Sequence, residues 1–310
     1  ALLIAGCLAL WRLRINRLVA ENTASEPTNI WTQLAKGWPY ALLFLLMMTY
    51  HRVDAIMLER SATNGAKEAG WYAMSYRLFE AANMIGYLFA TLLLPYFSRM
   101  LANKTDVRPL AIGASQLLLV GGGAVAWTAC FWPDSFLRLF YDHEIAEAAP
   151  ILPWLMVSFA IFAQGYVFST LLTARGNLRL LNSVAAIGAF GNIALNFLWI
   201  PEYGALGCAM ASALTQALVV ILQCIASVLK HPGSAWWKLV KSLALHSLLC
   251  GAICGIGLRW DSDVWWMVPV ILLACLLAGF IPGIMDDSTL RSLLSTKMNT
   301  FASSKLKSDS

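Results

Sequence analysis

Charged residues are scarce in this chain. Only 13% of its 310 residues are Asp, Glu, Lys or Arg, and 59% are hydrophobic. An ordinary soluble domain carries about 25% charged residues. The composition therefore excludes a soluble globular enzyme, and it equally excludes a disordered chain, which needs the opposite composition. We expect an integral membrane protein.

Two further features are missing. The seven cysteines all lie in apolar runs, with no CxxC motif and no paired histidine, so they are expected to pack as small hydrophobic side chains. No metal site and no cofactor are implied. No loop is long enough to hold an extramembrane catalytic domain, so the sequence predicts a protein that is not an enzyme and has no catalytic residue.

Long apolar runs dominate what is present. Eight of them are long enough to cross a bilayer as helices, because a backbone in lipid must satisfy its own hydrogen bonds. The sequence thus predicts an all-α polytopic transmembrane bundle. The predicted spans are Trp38–Leu58, Trp71–Phe97, Pro109–Trp132, Pro150–Thr173, Leu180–Ile200, Ala205–Leu229, Leu239–Leu258 and Trp265–Ile284.

The positive charges alternate between the loops. One set of alternate loops, with the tail, holds sixteen of the 22 Lys and Arg residues, and the other set holds four. This asymmetry predicts a cytoplasmic C-terminus. It also accounts for the net charge of +5 without a nucleic-acid partner. The apolar stretch Ala1–Leu10 is half the length of a span, so we expect it to be the truncated end of a transmembrane helix and the chain to be a fragment.

Two stretches carry recognisable motifs. Residues 50–100 contain D-x-x-M-L from Asp54, then G-x-Y-x-x-x-x-R-L from Gly70, then P-x-x-S-R from Pro95. The stretch Gly191–Ser212 contains N-x-x-x-N-x-x-x-I-P from Asn192. With the helix count, these motifs resemble the oligosaccharide flippases of the multidrug/oligosaccharidyl-lipid/polysaccharide exporter superfamily.

The resemblance implies a domain organisation. Such transporters have two six-helix lobes around a central cavity, and members with fourteen helices carry an additional helix pair. On that basis the chain divides into a truncated helix (1–10), a cytoplasmic linker between lobes (11–37), a C-terminal six-helix lobe (38–229), an extra helix pair (230–284) and a cytoplasmic tail (285–310). The N-terminal lobe of the same protein is then missing, so this part is not expected to transport alone.

The resemblance also implies a function. We expect a flippase that moves polyprenyl-diphosphate-linked oligosaccharide across the bacterial inner membrane by alternating access, for capsule, exopolysaccharide or O-antigen synthesis. Its partners would be that substrate and membrane lipid. The alternative is a multidrug exporter of the same superfamily, although a cavity for cations should be acidic rather than arginine-bearing. A membrane-embedded polysaccharide polymerase or ligase is the remaining candidate.

Ionisable residues within the spans are the main candidates for a site. Arg52 and Asp54 lie late in one span, and Arg77 and Glu80 lie early in the next. A charge within a span costs at least about 2.5–3.5 kcal/mol and needs a partner or a wet cavity. Two interpretations stay open: the pairs Arg52–Glu80 and Asp54–Arg77 staple the helical hairpin, or the arginines face the cavity and bind a diphosphate.

Uncharged polar residues extend the candidate set. His51 could titrate in a proton-coupled cycle or simply be hydrogen-bonded near the interface. Asn192 and Asn196 share one helix face, and Gln164 lies on a neighbouring helix. These amides either form interhelical hydrogen bonds or contact sugar hydroxyls. The glycines at 121–123 either allow bending or permit close packing.

Overall fold

The computed structural model describes residues 30–230, 235–258, 266–281 and 284. Every regular element in these ranges is an α-helix. The helices are α1 (Ile30–Ser61), α2 (Gly65–Ala102), α3 (Arg108–Phe131), α4 (Pro133–Arg138), α5 (Ile145–Ala148), α6 (Leu152–Ala174), α7 (Leu178–Lys230), α8 (Ala235–Gly257) and α9 (Met267–Ala278).

Six of these helices are long and apolar enough to cross a membrane: α1, α2, α3, α6, α7 and α8. A shorter apolar helix, α9, follows them. The predicted polytopic helical bundle is therefore confirmed. The truncated helix (1–10), most of the linker and the tail (285–310) lie outside the described residues, and the predicted domain boundaries stay predictions.

Helix α7 is two antiparallel limbs joined at Gly204, which has non-helical backbone angles (φ 56°, ψ −132°). In a straight helix Asn196 and Ser212 would be about 24 Å apart, yet both donate hydrogen bonds to one carboxylate. Gly188 likewise faces Val219, and Gly191 faces Thr215. These three pairs are centred on residues 203–204, so the chain reverses there. The two limbs correspond to two predicted spans.

The last predicted span, Trp265–Ile284, is less regular than expected. Its helix α9 has 12 residues, about 18 Å in length, and turns follow from Gly279. Gly279 is the C-cap of α9, and Pro282, three residues later in the sequence, cannot continue the helix.

Contacts divide the chain into two compact units, residues 1–41 and residues 42–310. Within the second unit, α6 is central and packs against α2, α3 and α7, while α8 and α9 both pack against α3. The core of this unit is apolar and includes fully buried Leu152, Leu171 and Phe168.

Small residues bring α8 and α9 close to α3. The imidazole of His246 in α8 lies where a side chain on Gly123 would be. The Trp127 side chain of α3 likewise lies against the position that a Cβ on Gly251 would take, and Val120 of α3 occupies the position of a Cβ on Gly279. The contact at Gly123 favours close packing as the role of that glycine on α3, and the three contacts together attach the α8–α9 pair to the lobe.

Replacement of Gly204 by alanine should destabilise the protein by about 1–3 kcal/mol. The alanine would have to adopt the left-handed φ of this position, and its Cβ would lie 2.7–2.8 Å from the Glu68 carboxylate. Thermal unfolding of the detergent-solubilised protein measures the effect. The matched control is Gly70→Ala, on an exposed helical position with open space around it, which should be neutral or stabilising. Equal unfolding temperatures for the two variants would contradict the proposed strain.

Candidate functional site

The carboxylate of Asp54 is the centre of a buried polar cluster. Asp54 lies on α1 and is 3% exposed. Its Oδ1 accepts a hydrogen bond from Asn196 Nδ2 at 2.6 Å. Its Oδ2 accepts from Ser212 Oγ at 2.5 Å and from the Tyr72 hydroxyl at 3.2 Å. One side chain thus joins α1, α2 and both limbs of α7.

A second amide extends the cluster along α7. Asn196 Nδ2 also donates to Asn192 Oδ1 at 3.1 Å, and both asparagines are fully buried. They lie four residues apart and therefore one turn apart on the same helix face. The structure brings together three of the predicted site residues, Asp54, Asn192 and Asn196.

The predicted ion pair between Asp54 and Arg77 does not form. Asp54 points into the lobe, whereas Arg77 is exposed on α2, and the described residues place no cation within ion-pair distance of Asp54. A carboxylate inside a membrane protein is costly unless it is hydrogen-bonded. Neutral donors from three other helical segments meet that need here, so a staple to Arg77 is unnecessary.

The other predicted pair is present. Arg52 Nη2 lies 3.6 Å from Glu80 Oε1, with the two side chains 72% and 47% exposed. Arg52 and Asp54 are two residues apart and therefore about 200° apart around α1, which explains why one faces outward and the other inward. The exposed charges of Arg52, Arg77 and Glu80 lie on α1 and α2, and we call them the charged face.

The remaining candidates lie elsewhere. Gln164 on α6 donates from Nε2 to the Ser115 carbonyl of α3 at 3.2 Å, so it ties two core helices together and is not part of the Asp54 cluster. The side chain of His51 is outside the described residues.

Sequence reasoning missed Tyr72, Ser212 and Glu68. Tyr72 is the tyrosine of the G-x-Y motif, and Ser212 closes the quoted stretch Gly191–Ser212, so both were within the motifs but had no assigned role. Glu68 Oε2 accepts from the Ala205 backbone N–H at 2.8 Å. It thus satisfies one donor at the start of the second limb of α7. No spacing rule connects residues so far apart in the chain.

The chemistry available at these groups is hydrogen bonding and charge recognition. Within the described ranges, no group of three or more His, Cys, Asp or Glu side chains could hold a metal ion. The described cysteines are free thiols, located at 130, 208, 224, 250, 254 and 275.

Comparison with known proteins finds sequence and fold similarity to flippases. No protein-family model matches the chain. It is 26% identical over 196 residues to the lipid III flippases of Escherichia coli (strain K12) and Shigella flexneri, an alignment that covers 62% of this chain and 46% of each relative. The resemblance to the lipid-linked oligosaccharide flippases is confirmed.

A solved structure is similar over more of the chain. The lipid II flippase MurJ, in its inward closed conformation, aligns with a TM-score of 0.59 at 17% identity, covering 84% of this chain and 57% of MurJ. At that identity the likeness shows the fold. The chain spans about half the length of the curated relatives it matches.

Replacement of Asp54 by alanine should lower the stability of the protein strongly. Three buried donors, from Tyr72, Asn196 and Ser212, would lose their acceptor, at about 1–3 kcal/mol for each that stays unsatisfied. Thermal unfolding followed by size-exclusion chromatography measures the loss. Asp54→Asn, which keeps one acceptor oxygen, should be milder. The control is Asp142→Ala at an exposed loop position; a similar loss in that variant would contradict a central role for Asp54.

Proposed function

We propose that this chain is the C-terminal part of a flippase that moves a polyprenyl-diphosphate-linked oligosaccharide across the bacterial inner membrane by alternating access. The product would enter the assembly of a surface polysaccharide. The proposal is supported by the sequence similarity to lipid III flippases and by the fold similarity to MurJ. The N-terminal lobe of the same protein completes the cavity, and the C-terminus is cytoplasmic.

The charged face is the observation that carries the proposal. Most of the lobe's other large exposed side chains in the spans are apolar, as lipid contact requires. Arg52 lies six residues before the end of its predicted span at Leu58, and Arg77 lies six residues after the start of its span at Trp71, each about 9 Å inside the span. Charges at that depth face a wet cavity or protein rather than lipid.

The orientation of Asp54 sets the sign of the charged face. Counted together, Arg52, Asp54, Arg77 and Glu80 have no net charge. Because Asp54 is buried on the opposite side of α1, the charged face presents two cations and one anion. A guanidinium provides a planar fork of donors that matches phosphate oxygens. We therefore assign the diphosphate of the substrate to Arg52 and Arg77, with Glu80 orienting Arg52 across 3.6 Å.

Arg52→Ala should abolish export of polysaccharide by the full-length protein while its membrane expression persists. Expression should persist because an exposed ion pair contributes at most about 1 kcal/mol to stability. Complementation of a flippase-deficient strain, with immunoblotting of membranes, measures both quantities. Unchanged export would contradict the assignment of Arg52 to substrate binding.

Exchange of the two charges distinguishes a role of Arg52 in substrate binding from a purely structural role of its ion pair with Glu80. Arg52→Glu combined with Glu80→Arg preserves the ion pair, so a stapling role predicts restored export. Substrate binding by Arg52 predicts that the double variant stays inactive and that Glu80→Gln alone retains partial export. Export of a cationic drug in place of the oligosaccharide would instead favour a multidrug exporter.

A further inference from the structure

The turn between α6 and α7 is built from Arg175, Gly176 and Asn177. Gly176 has a left-handed φ of 73°. Its N–H donates to the Thr173 carbonyl, and the Asn177 N–H donates to the Leu172 carbonyl, the pattern of a Schellman motif. The Arg175 N–H is bonded to the Leu171 carbonyl. The carbonyls of Leu171, Leu172 and Thr173 near the end of α6 therefore each accept a backbone donor.

Side-chain donors in this turn have no acceptor. The Nε, Nη1 and Nη2 atoms of Arg175 are all buried, and none has a hydrogen-bond partner in the part of the chain that the structure describes. The same holds for Nδ2 of Asn177. Four buried nitrogens thus lie within three consecutive residues. Each unsatisfied donor is costly, and a guanidinium without a partner is more so.

The guanidinium of Arg175 is buried while other atoms of the residue are exposed, which is the reverse of the usual arrangement for arginine. Arginines in membrane proteins cover apolar surface with their stem and keep the guanidinium in water. Arg175 as a whole is partly exposed, yet its guanidinium nitrogens are not, so its exposed area belongs to other atoms of the residue. The carbonyls at the end of α6 do not bond to the guanidinium either.

The same turn begins a long helix. Asn177 precedes α7, and its carbonyl accepts from the Leu181 N–H at 3.2 Å. The first N–H groups of α7 therefore have no acceptor within the helix, and the helix dipole adds a partial positive charge there. Gly176 and Arg179 are exposed, and no described atom outside the turn lies within 4 Å of the position a Cβ on Gly176 would take. The turn is therefore open on one side.

The turn lies at the membrane end that the charge pattern predicts to be cytoplasmic. Helices α3 and α6 are antiparallel, because Gln164 meets Ser115 and Gly122 meets Ala160. The end of α6 therefore lies beside the start of α3, at the loop 103–107. This end is remote from the Asp54 cluster, since Asn196 lies 18 residues, or about 27 Å, along α7 from Leu178.

We propose that Arg175, Asn177 and the first turn of α7 bind a phosphate group of a lipid at the cytoplasmic surface. The phosphate oxygens supply the acceptors that the guanidinium and amide need, and the helix N-terminus favours their charge. Two lipids carry this group at that depth: an anionic phospholipid of the bilayer, or the polyprenyl diphosphate carrier before it enters the cavity. Only the second source rests on the proposed function.

Thermal unfolding of the delipidated full-length protein in maltoside detergent tests the proposal. The probes are dioleoylphosphatidylglycerol, undecaprenyl diphosphate and, as a phosphate-free control, dioleoylglycerol. At saturation one of the phosphate-bearing probes should raise the Tm by about 3–5 °C, and dioleoylglycerol should not. A response to phosphatidylglycerol alone assigns the site to bilayer lipid, and a response to undecaprenyl diphosphate alone assigns it to the carrier. Either supports the site.

The Tm of Arg175→Met relative to the unsubstituted protein should change sign between the lipid-free and the lipid-bound conditions. Without lipid it should melt at or above the unsubstituted protein, because it removes a buried charge that has no partner. With the effective probe it should show no shift. Arg99→Met, at an exposed position near the end of α2 and at the same predicted membrane end, is the matched control and should keep most of the shift. Should Arg175→Met fail to fold, Arg175→Lys keeps the charge without the planar fork, and about tenfold weaker binding is expected.

Three results would overturn the proposal: no shift of the unsubstituted protein with either phosphate-bearing probe, an undiminished shift in the Arg175 variant, or an equal response to dioleoylglycerol. Export assays keep this proposal separate from the function. If the bound lipid is a bilayer phospholipid, Arg175→Met should retain export while it loses lipid binding. Loss of export by Arg52→Ala, in contrast, concerns the charged face only.

Discussion

The hydrogen bonds of the Asp54 carboxylate hold the lobe together at the height of the candidate site. In water these bonds would contribute little, because every group could bond to solvent instead. Within a membrane protein the carboxylate has no such alternative, so its position is fixed by the donors that reach it. Tyr72, Asn196 and Ser212 come from three separate helical segments, and the carboxylate therefore determines where α1, α2 and α7 meet.

Burial of the Asp54 carboxylate also changes the net charge of the exposed surface of α1. Helix α1 carries a cation and an anion two residues apart, and the helical period sends them to opposite sides. The Asp54 carboxylate is buried and hydrogen-bonded inside the lobe, and Arg52 remains on the charged face with Arg77. A membrane segment that looks neutral in sequence thus presents net positive charge where a diphosphate could bind. Burial, rather than composition, produces that asymmetry.

Much of this architecture follows from the sequence, and the limits have physical causes. Hydropathy predicts the helices because lipid forces the backbone to bond internally, and the helical period predicts that Arg52 and Asp54 diverge. The partner of Asp54 could not be predicted, since charge pairing suggested Arg77 and the actual donors are neutral side chains from distant segments. The role of Glu68 depends on a tertiary hydrogen bond, and the burial of the Arg175 guanidinium depends on tertiary packing; local spacing encodes neither.

Glu68 and Asp54 attach the second half of the lobe to the first hairpin at two heights. The Glu68 carboxylate meets the backbone at Ala205, next to the kink at Gly204. The Asp54 carboxylate meets Asn196, eight residues or about 12 Å before that kink along the first limb of α7. With a single contact, α7 could pivot in any direction on the α1–α2 hairpin. With two separate contacts, it can rotate only about the line that joins them. Rocking that changes the angle between α7 and this hairpin would therefore have to break one of these two contacts. The alternating access proposed above would then require bending at another position in the chain.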